Sequence, residues 1–552
     1  MKLGGESHLI LILMSNLVRL QLIQVRFGFP CSKASSFIAP SHSVALNNLP
    51  YSDGASYISD NACLTGTRTA LIDGMLGWIK SADRTKSAEI YYLTGGAGVG
   101  KTTIAHSIAQ RCEEEGLLMS SFFFDGRVAG RNNPTMLFST IARNLADRNA
   151  AFRREIVDAL EERRSLAGAT IPDHFRELIL RPSSLLRDAP VVIIIDALDE
   201  SQAPGVVHVL KVLRDQVPKL PGTFRVLVTA RNTPDLDFYL SDQAHVRRLS
   251  IDTSEQTNLH DIAIYSQYKL RDIAQRKRLG EDWPDPQLLH DFISKSNGLF
   301  VWVFVVYEHL LLSVNPDKQL KSLLSTRSSP EASPEVAMDK LYLEILGKCS
   351  WNDNDFVDGY HLIMGAIMAA KTPLSISALQ SLHRHSLTFS VSHILMPLES
   401  LLTGVNATND STPVQILHLS LKDFLTVRAQ SLPNSRTFAL DETQHNQRLA
   451  LLCLVVLNED LQQTGLGMGY LAETESDGIP QIGGALVSEH LLYACRFWMD
   501  HIIAVEHPGS DLVDALRTFL SAHLVTWMEL VSVTGKFDGI SKVRVWVEVS
   551  LR

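Results

Sequence analysis

The chain has 552 residues, 45% of them hydrophobic and 20% charged, with a formal net charge of −9. This composition supports folded cores, at a length that suits roughly three or four domains. The negative balance argues against a general nucleic-acid binder. The six cysteines form no CxxC pair, which excludes the common zinc motifs and points to reduced thiols in a cytoplasmic protein rather than a disulfide framework.

In chain order, Leu9 to Val18 is apolar but interrupted by Ser15 and Asn16 and closed by Arg19. It is too short to span a membrane and lacks a signal peptide's cleavage site, so no membrane partner is expected. Residues 1–44 are expected to be a disordered N-terminal segment, with Met14 an alternative start. Residues 30–60, rich in Ser, Pro, Asn and Gly, read as a linker. Over Thr67–Lys80 the stripe Ala70, Leu71, Met75, Leu76, Trp78 and Ile79 predicts a helix.

From Glu89 strands and helices alternate, which predicts a parallel sheet covered on both faces. The strands expected are Ile90–Leu93, Met119–Phe124, Val191–Ile195, Arg225–Thr229 and Val246–Leu249. Helices are expected over Ile104–Arg111, Met136–Asp147, Phe152–Arg164 and Val206–Val217. After Asp252 the pattern turns helical, with Leu259–Arg276, Gln287–Ser294 and Phe300–Val314 before a Ser/Pro-rich link at Ser325–Ser333. Ala337–Leu346, Tyr360–Ala370, Ser375–Leu382 and Ser390–Leu402 follow, then a β-pair around Gly404–Leu419. Helices ending in a β-pair suggest a winged helix. Gln444–Arg552 reads as helical around a glycine-rich loop at Thr464–Gly484. No period of 20–50 residues recurs.

The first strand runs directly into Gly95-Gly96-Ala97-Gly98-Val99-Gly100-Lys101-Thr102-Thr103 and a helix, the P-loop order. Glycines let successive backbone N–H groups wrap a phosphate at a helix N-terminus whose dipole favours anions. Lys101 would reach the β- and γ-phosphates of ATP, and Thr102 would ligand Mg²⁺. Val191–Ile195 is a buried-strand run ending in Asp196-Ala-Leu-Asp-Glu200. Asp196 fits the Walker B role on the metal, and Asp199 and Glu200 are candidates to orient or deprotonate an attacking water. Phe224 to Arg231 is a second apolar strand ending in an arginine that can sense the γ-phosphate. Arg131 is a weaker cationic candidate.

Together these residues resemble a NACHT-type NTPase of the STAND class, and closely the fungal branch that shares the nephrocystin-3-like N-terminal domain. The acidic segment is similar to the NACHT form of Walker B, which usually has Gly where Ala197 stands. Phe122-Phe-Phe124 and Thr229-Ala-Arg231 match the family's second and sensor strands. Cys63-Leu-Thr-Gly-Thr-Arg68 followed by Trp78 resembles the segment on the adenine side of the nucleotide, which implies base or ribose contacts from Thr67 and Arg68. Asn297-Gly-Leu-Phe300 resembles the start of a helix in the family's small helical domain. His418-Leu-Ser-Leu-Lys-Asp-Phe-Leu425 resembles its winged-helix ending, with Leu421 for the usual Phe, and implies that His418 touches the β-phosphate of ADP. Tyr493-Ala-Cys-Arg-Phe-Trp498 resembles the helical segment that follows.

The resemblance covers residues 45–530 and implies an α/β P-loop NTPase followed by an α-helical domain, a winged-helix domain and a C-terminal helical region. The boundaries expected are 45–88 for the lead-in segment and helix, 89–252 for the NTPase core, 253–325 for the small helical domain, 326–430 for the winged helix and 431–552 for the C-terminal region. No effector domain is recognisable before residue 45 and no repeat array after 530, so a short natural form or an incomplete gene model is expected. The function implied is an ATP/ADP switch in fungal non-self recognition or programmed cell death, oligomeric with ATP, with slow hydrolysis. The alternative is a scaffold that holds nucleotide without turning it over, and a small-molecule kinase would need a lid that no segment supplies.

Overall fold

The structure, a computed structural model, describes residues 46–81, 87–186, 190–201, 205–325, 333–405, 409–432, 435–461, 487–534 and 541–550. The segment 1–44, the interior of the Ser325–Ser333 link and the glycine-rich loop Thr464–Gly484 lie outside the described residues. The chain forms two compact units. One runs to Glu344 and includes His418–Ser420; the other takes Ile345–Leu417 and the chain from Leu421 on.

The first unit contains α1 (Thr69–Lys80), β1 (Glu89–Thr94), α2 (Lys101–Glu114), β2 (Leu118–Phe123), α3 (Leu137–Arg148), α4 (Ala150–Glu162), β3 (Val191–Asp196), α5 (Val206–Asp215), β4 (Phe224–Ala230) and β5 (Val246–Ser250). The five strands form one sheet in the order β2-β3-β4-β1-β5, and every pair is parallel. Because successive side chains alternate faces, Ile90, Tyr92, Ile193, Ile195, Val226 and Val228 enter one core, where they join residues of α3, α4 and α5. Tyr91, Leu93, Val192, Ile194 and Leu227 enter the other, with α1 and α2. Burial on both faces explains why these strands read as unbroken apolar runs.

The linker expected over residues 30–60 is, in its described part, anchored. Phe123 N donates to Ala55 O at 2.8 Å on the edge strand β2, Ile58 N to His106 Nδ1 at 3.1 Å, and Cys63 N to Ser107 Oγ at 2.8 Å. Its backbone groups are satisfied by the sheet edge and by α2, which composition alone reads as flexibility.

Beyond β5 come α6 (Gln256–Lys277), α7 (Pro286–Lys295), α8 (Phe300–Leu312), α9 (Pro316–Ser325) and α10 (Pro334–Leu346). Helix α8, apolar on nearly every face, is buried over most of its length. Helix α9 was not expected, since only Leu320 and Leu323 mark its apolar side. Asn315, which accepts from Lys318 N at 3.0 Å, and Pro316 at the first turn are the start signal that reveals it.

The second unit holds α11 (Asn354–Ala369), β6 (Leu374–Ser375), α12 (Ile376–Leu382), α13 (Val391–Leu395), β7 (Leu402–Thr403), β8 (Pro413–Ile416), α14 (Leu419–Thr426), whose first two residues belong to the first unit, α15 (Glu442–Asp460), α16 (Glu489–Ile502), α17 (Ser510–Thr518), α18 (Leu524–Thr534) and α19 (Ser541–Ser550). Strands β6, β8 and β7 form an antiparallel sheet in that order. The β-pair was expected; the two-residue β6 is too short to show alternation. On α16, the buried Tyr493 hydroxyl pairs with His501 Nε2 at 2.7 Å, while Trp498 packs edge-on against Phe519 and Trp527. Among the described residues no helix is long and apolar enough to cross a membrane.

Candidate functional site

The site lies where β1, β3 and β4 end. After Thr94 the chain turns through Gly95, Gly98 and Gly100 at φ 156°, 76° and 92°. The left-handed Gly100 launches α2, which has neither a side-chain cap nor an acidic residue in its first turn. Its first N–H groups and dipole are therefore left to an anion. Gly98 must also be small. Val301 N, at the start of α8, donates to Gly98 O at 3.2 Å, and a Cβ on Gly98 would overlap the Val301 side chain.

Lys101 folds back, donating from Nζ to Gly95 O and Gly96 O at 2.8 Å each. Burial brings it down to about 8, against the opposing pull of Asp199. Asp196, at the end of the interior strand β3, is fully buried and pushed up to about 6 by that burial, despite hydrogen bonds from the Thr229 and Thr102 hydroxyls. Thr229 Oγ1 donates to Asp196 Oδ1 at 2.5 Å and accepts from Ala197 N at 3.0 Å. Thr102 and Asp196, expected to share a metal, are thus brought together. Among the described residues no three His, Cys, Asp or Glu side chains gather to hold a metal, so a cation here would need donors from a ligand or water as well.

Asp199 and Arg231 are a pair: Arg231 N donates to Asp199 Oδ1 at 2.9 Å, and Arg231 Nε lies 3.3 Å from Oδ2. Glu200 stands apart from them, accepting from Gly126 N at 3.1 Å. Burial, with Asp199 and Asp125 adding to it, pushes Glu200 up to about 7. Gly126 belongs to a turn after β2 in which sequence reasoning singled out only Arg131. In it the buried Asp125 takes Arg127 Nε at 2.8 Å and Nη2 at 2.9 Å. Against burial, which would raise it, Arg127 holds Asp125 below the usual carboxylate range. Arg131 braces the same turn, with Nη1 3.8 Å from Asp125 Oδ2 and Nε donating to Phe123 O at 3.3 Å. An Asp-Gly immediately after an apolar strand was the signal available.

Thr67 is buried and donates to Leu64 O at 2.7 Å. Arg68, in a left-handed conformation at φ 58°, is buried against the P-loop. Its Nη2 donates to Val99 O at 2.9 Å and to Asn258 Oδ1 at 2.5 Å, its Nη1 lies 3.9 Å from Asp261, and its guanidinium sits 4.8 Å above the Phe300 ring. Arg68 therefore ties the loop to α6 and α8. His418 accepts from Ser420 N at 3.1 Å and bonds the Ser420 hydroxyl at 2.7 Å; the latter also meets the Tyr342 hydroxyl at 2.7 Å. Burial lowers His418 to about 3, and the charges of Arg231, Arg127 and Lys101 act in the same direction, so it is neutral and faces a positive field.

Residues 67–231 match the family model described as Nephrocystin 3, N-terminal, the span from the lead-in to α1 through Arg231. No curated protein matches the chain. Among solved structures, the Walker-type ATPase PABY2304 of Pyrococcus abyssi is similar at 11% identity and a TM-score of 0.32, over 69% of this chain and 99% of that one. The Aeropyrum pernix ORC1 protein in complex with DNA is similar at 15% identity and a TM-score of 0.31, over 66% and 93% of the two chains. The A. pernix ORC2 protein, solved as ADPNP–ADP complexes, is similar at 12% identity and a TM-score of 0.30, over 71% and 94%.

Proposed function

We propose that the chain is an ATP- and ADP-binding switch of the NACHT type of the STAND class, in the fungal branch with a nephrocystin-3-like N-terminal domain. The observation that carries this is the convergence of Lys101, the Thr102–Asp196 pair, Glu200 and Arg231 at the ends of three adjacent parallel strands, beside an uncapped helix N-terminus. The backbone of Gly95–Thr103 would hold the phosphates, with Lys101 leaving its two carbonyls for them. Thr102 and Asp196 would hold Mg²⁺, which supplies neutralisation of phosphate charge. Glu200, poised near neutrality, accepts a proton from water, while Asp199 orients Arg231 toward the γ-phosphate. His418, near the charges of Arg231, Arg127 and Lys101, would touch the β-phosphate of ADP. The antiparallel sheet β6-β8-β7 with its helices supports a winged helix over 326–430, preceded by the core over 89–252 and the helical domain over 253–325.

Only contacts that ATP makes and ADP lacks can shift a conformational balance. Moving from mostly closed to mostly open takes about 5 kcal/mol, which a few charge-assisted bonds to Lys101, Thr102 and Arg231 can supply at ~1.5–3 kcal/mol each. Opening would expose an oligomerising surface, in the service of non-self recognition or programmed cell death. The test is sedimentation of the wild type and Glu200→Gln with ADP or with Mg-ATP. A larger species with ATP is expected, persistent in Glu200→Gln and transient in the wild type; identical species with both nucleotides would refute the switch. The engagement of Asp199 by Arg231 leaves one carboxylate for the water and favours slow turnover. Its limit is the second reading, a nucleotide-bound scaffold, for which wild-type turnover would equal that of Glu200→Gln.

A further inference from the structure

The second unit carries a cleft of about 610 Å³ bounded by α11, the start of α15 and the turns before it. Its charged lining is basic. Arg448 is half-buried and, among the described residues, has neither a carboxylate partner nor a hydrogen bond from its guanidinium. Arg436, exposed at the rim, is likewise without one. The one acid in the lining, Asp441, is engaged in capping α15, where it accepts from Thr443 N at 2.9 Å and Gln444 N at 3.3 Å.

His445, 3% exposed, lines the same cleft and leaves Nδ1 without a partner. Its ring is fixed from below: it lies so close to Gly365 of α11 that any Cβ there would overlap it. Burial lowers His445 to about 4, with Arg448 and His361 acting in the same direction and Asp441 against them. A half-buried guanidinium without an acid is costly unless an anion meets it.

We propose that this cleft binds a small phosphate monoester, its phosphate taken by Arg448 and Arg436. Guanidinium forks match a tetrahedral oxyanion. The cleft volume, within the ~300–1,000 Å³ range of small-molecule sites, leaves room for an organic body. Gln430 and Gln444 in the lining offer neutral amides to that body. The site is separate from the P-loop and does not depend on the reading of it.

Calorimetric titration of the full chain with glycerol 3-phosphate, in saturating ADP and Mg²⁺ and against chloride at equal ionic strength, tests this. Binding is expected in the wild type and in Lys101→Ala, weakened about ten-fold in Arg436→Gln and Arg448→Gln. The exposure of Arg436 keeps its variant folded. No binding, binding equalled by chloride, or binding unchanged in both arginine variants would overturn the proposal.

Discussion

Ala197 sits between the Walker B strand and the two acidic residues at φ 52°, the left-handed region that costs a residue with a Cβ about 1–2 kcal/mol. A glycine at this position would take that conformation without the cost. Replacing Ala by Gly also loosens the unfolded chain, at ~0.4–1 kcal/mol. Ala197→Gly should therefore stabilise the protein by about 0.5–1 kcal/mol, read as a small rise in Tm; a fall in Tm would contradict the strain. Three residues on, Glu200 has its pKa raised by burial from 4.5 to about 7. A raised carboxylate favours the fold at low pH and loses that contribution as pH climbs through 7. Nucleotide-free Glu200→Gln should thus be more stable than the wild type at pH 8 and lose the advantage by pH 5, followed by thermal unfolding at both pH values. Hydrolysis by the wild type should rise with pH through about 7, as Glu200 becomes able to accept a proton.

At the scale of elements, the P-loop is shaped as much by what packs on it as by its own glycines. Arg68 reaches Val99 O, and α8 reaches Gly98 O through Val301 N. Gly98→Ala adds a Cβ at φ 76° that also overlaps Val301. It should weaken nucleotide binding and lower Tm, and Val301→Ala in the same chain should recover part of the loss. Recovery in neither quantity would mean that α8 does not constrain the loop. All five strands of the main sheet were legible, because burial on both faces writes them as apolar runs and the P-loop fixes the order of strand, loop and helix. Lys101, Thr102 and Asp196, picked out by spacing, lie together at the strand ends. The lead-in at 46–60, α9 and β6 were not legible, being held by backbone hydrogen bonds or too short for periodicity. Nor did spacing reveal that Asp199 and Arg231 spend their charge on each other, or that the Asp125–Arg127 turn sits beside Glu200 through Gly126, since these contacts join residues far apart in sequence.

At the scale of the molecule, two units share one chain, and His418–Ser420 crosses from the sequence of one into the packing of the other. The most direct measurement is the nucleotide content of the purified chain, by denaturing extraction and chromatography, beside Lys101→Ala. Adenine nucleotide, chiefly ADP, close to one per chain in the wild type and lost in Lys101→Ala is the expected result. A folded wild type that carries none and takes up neither ADP nor Mg-ATP at equilibrium would contradict the nucleotide switch at its root.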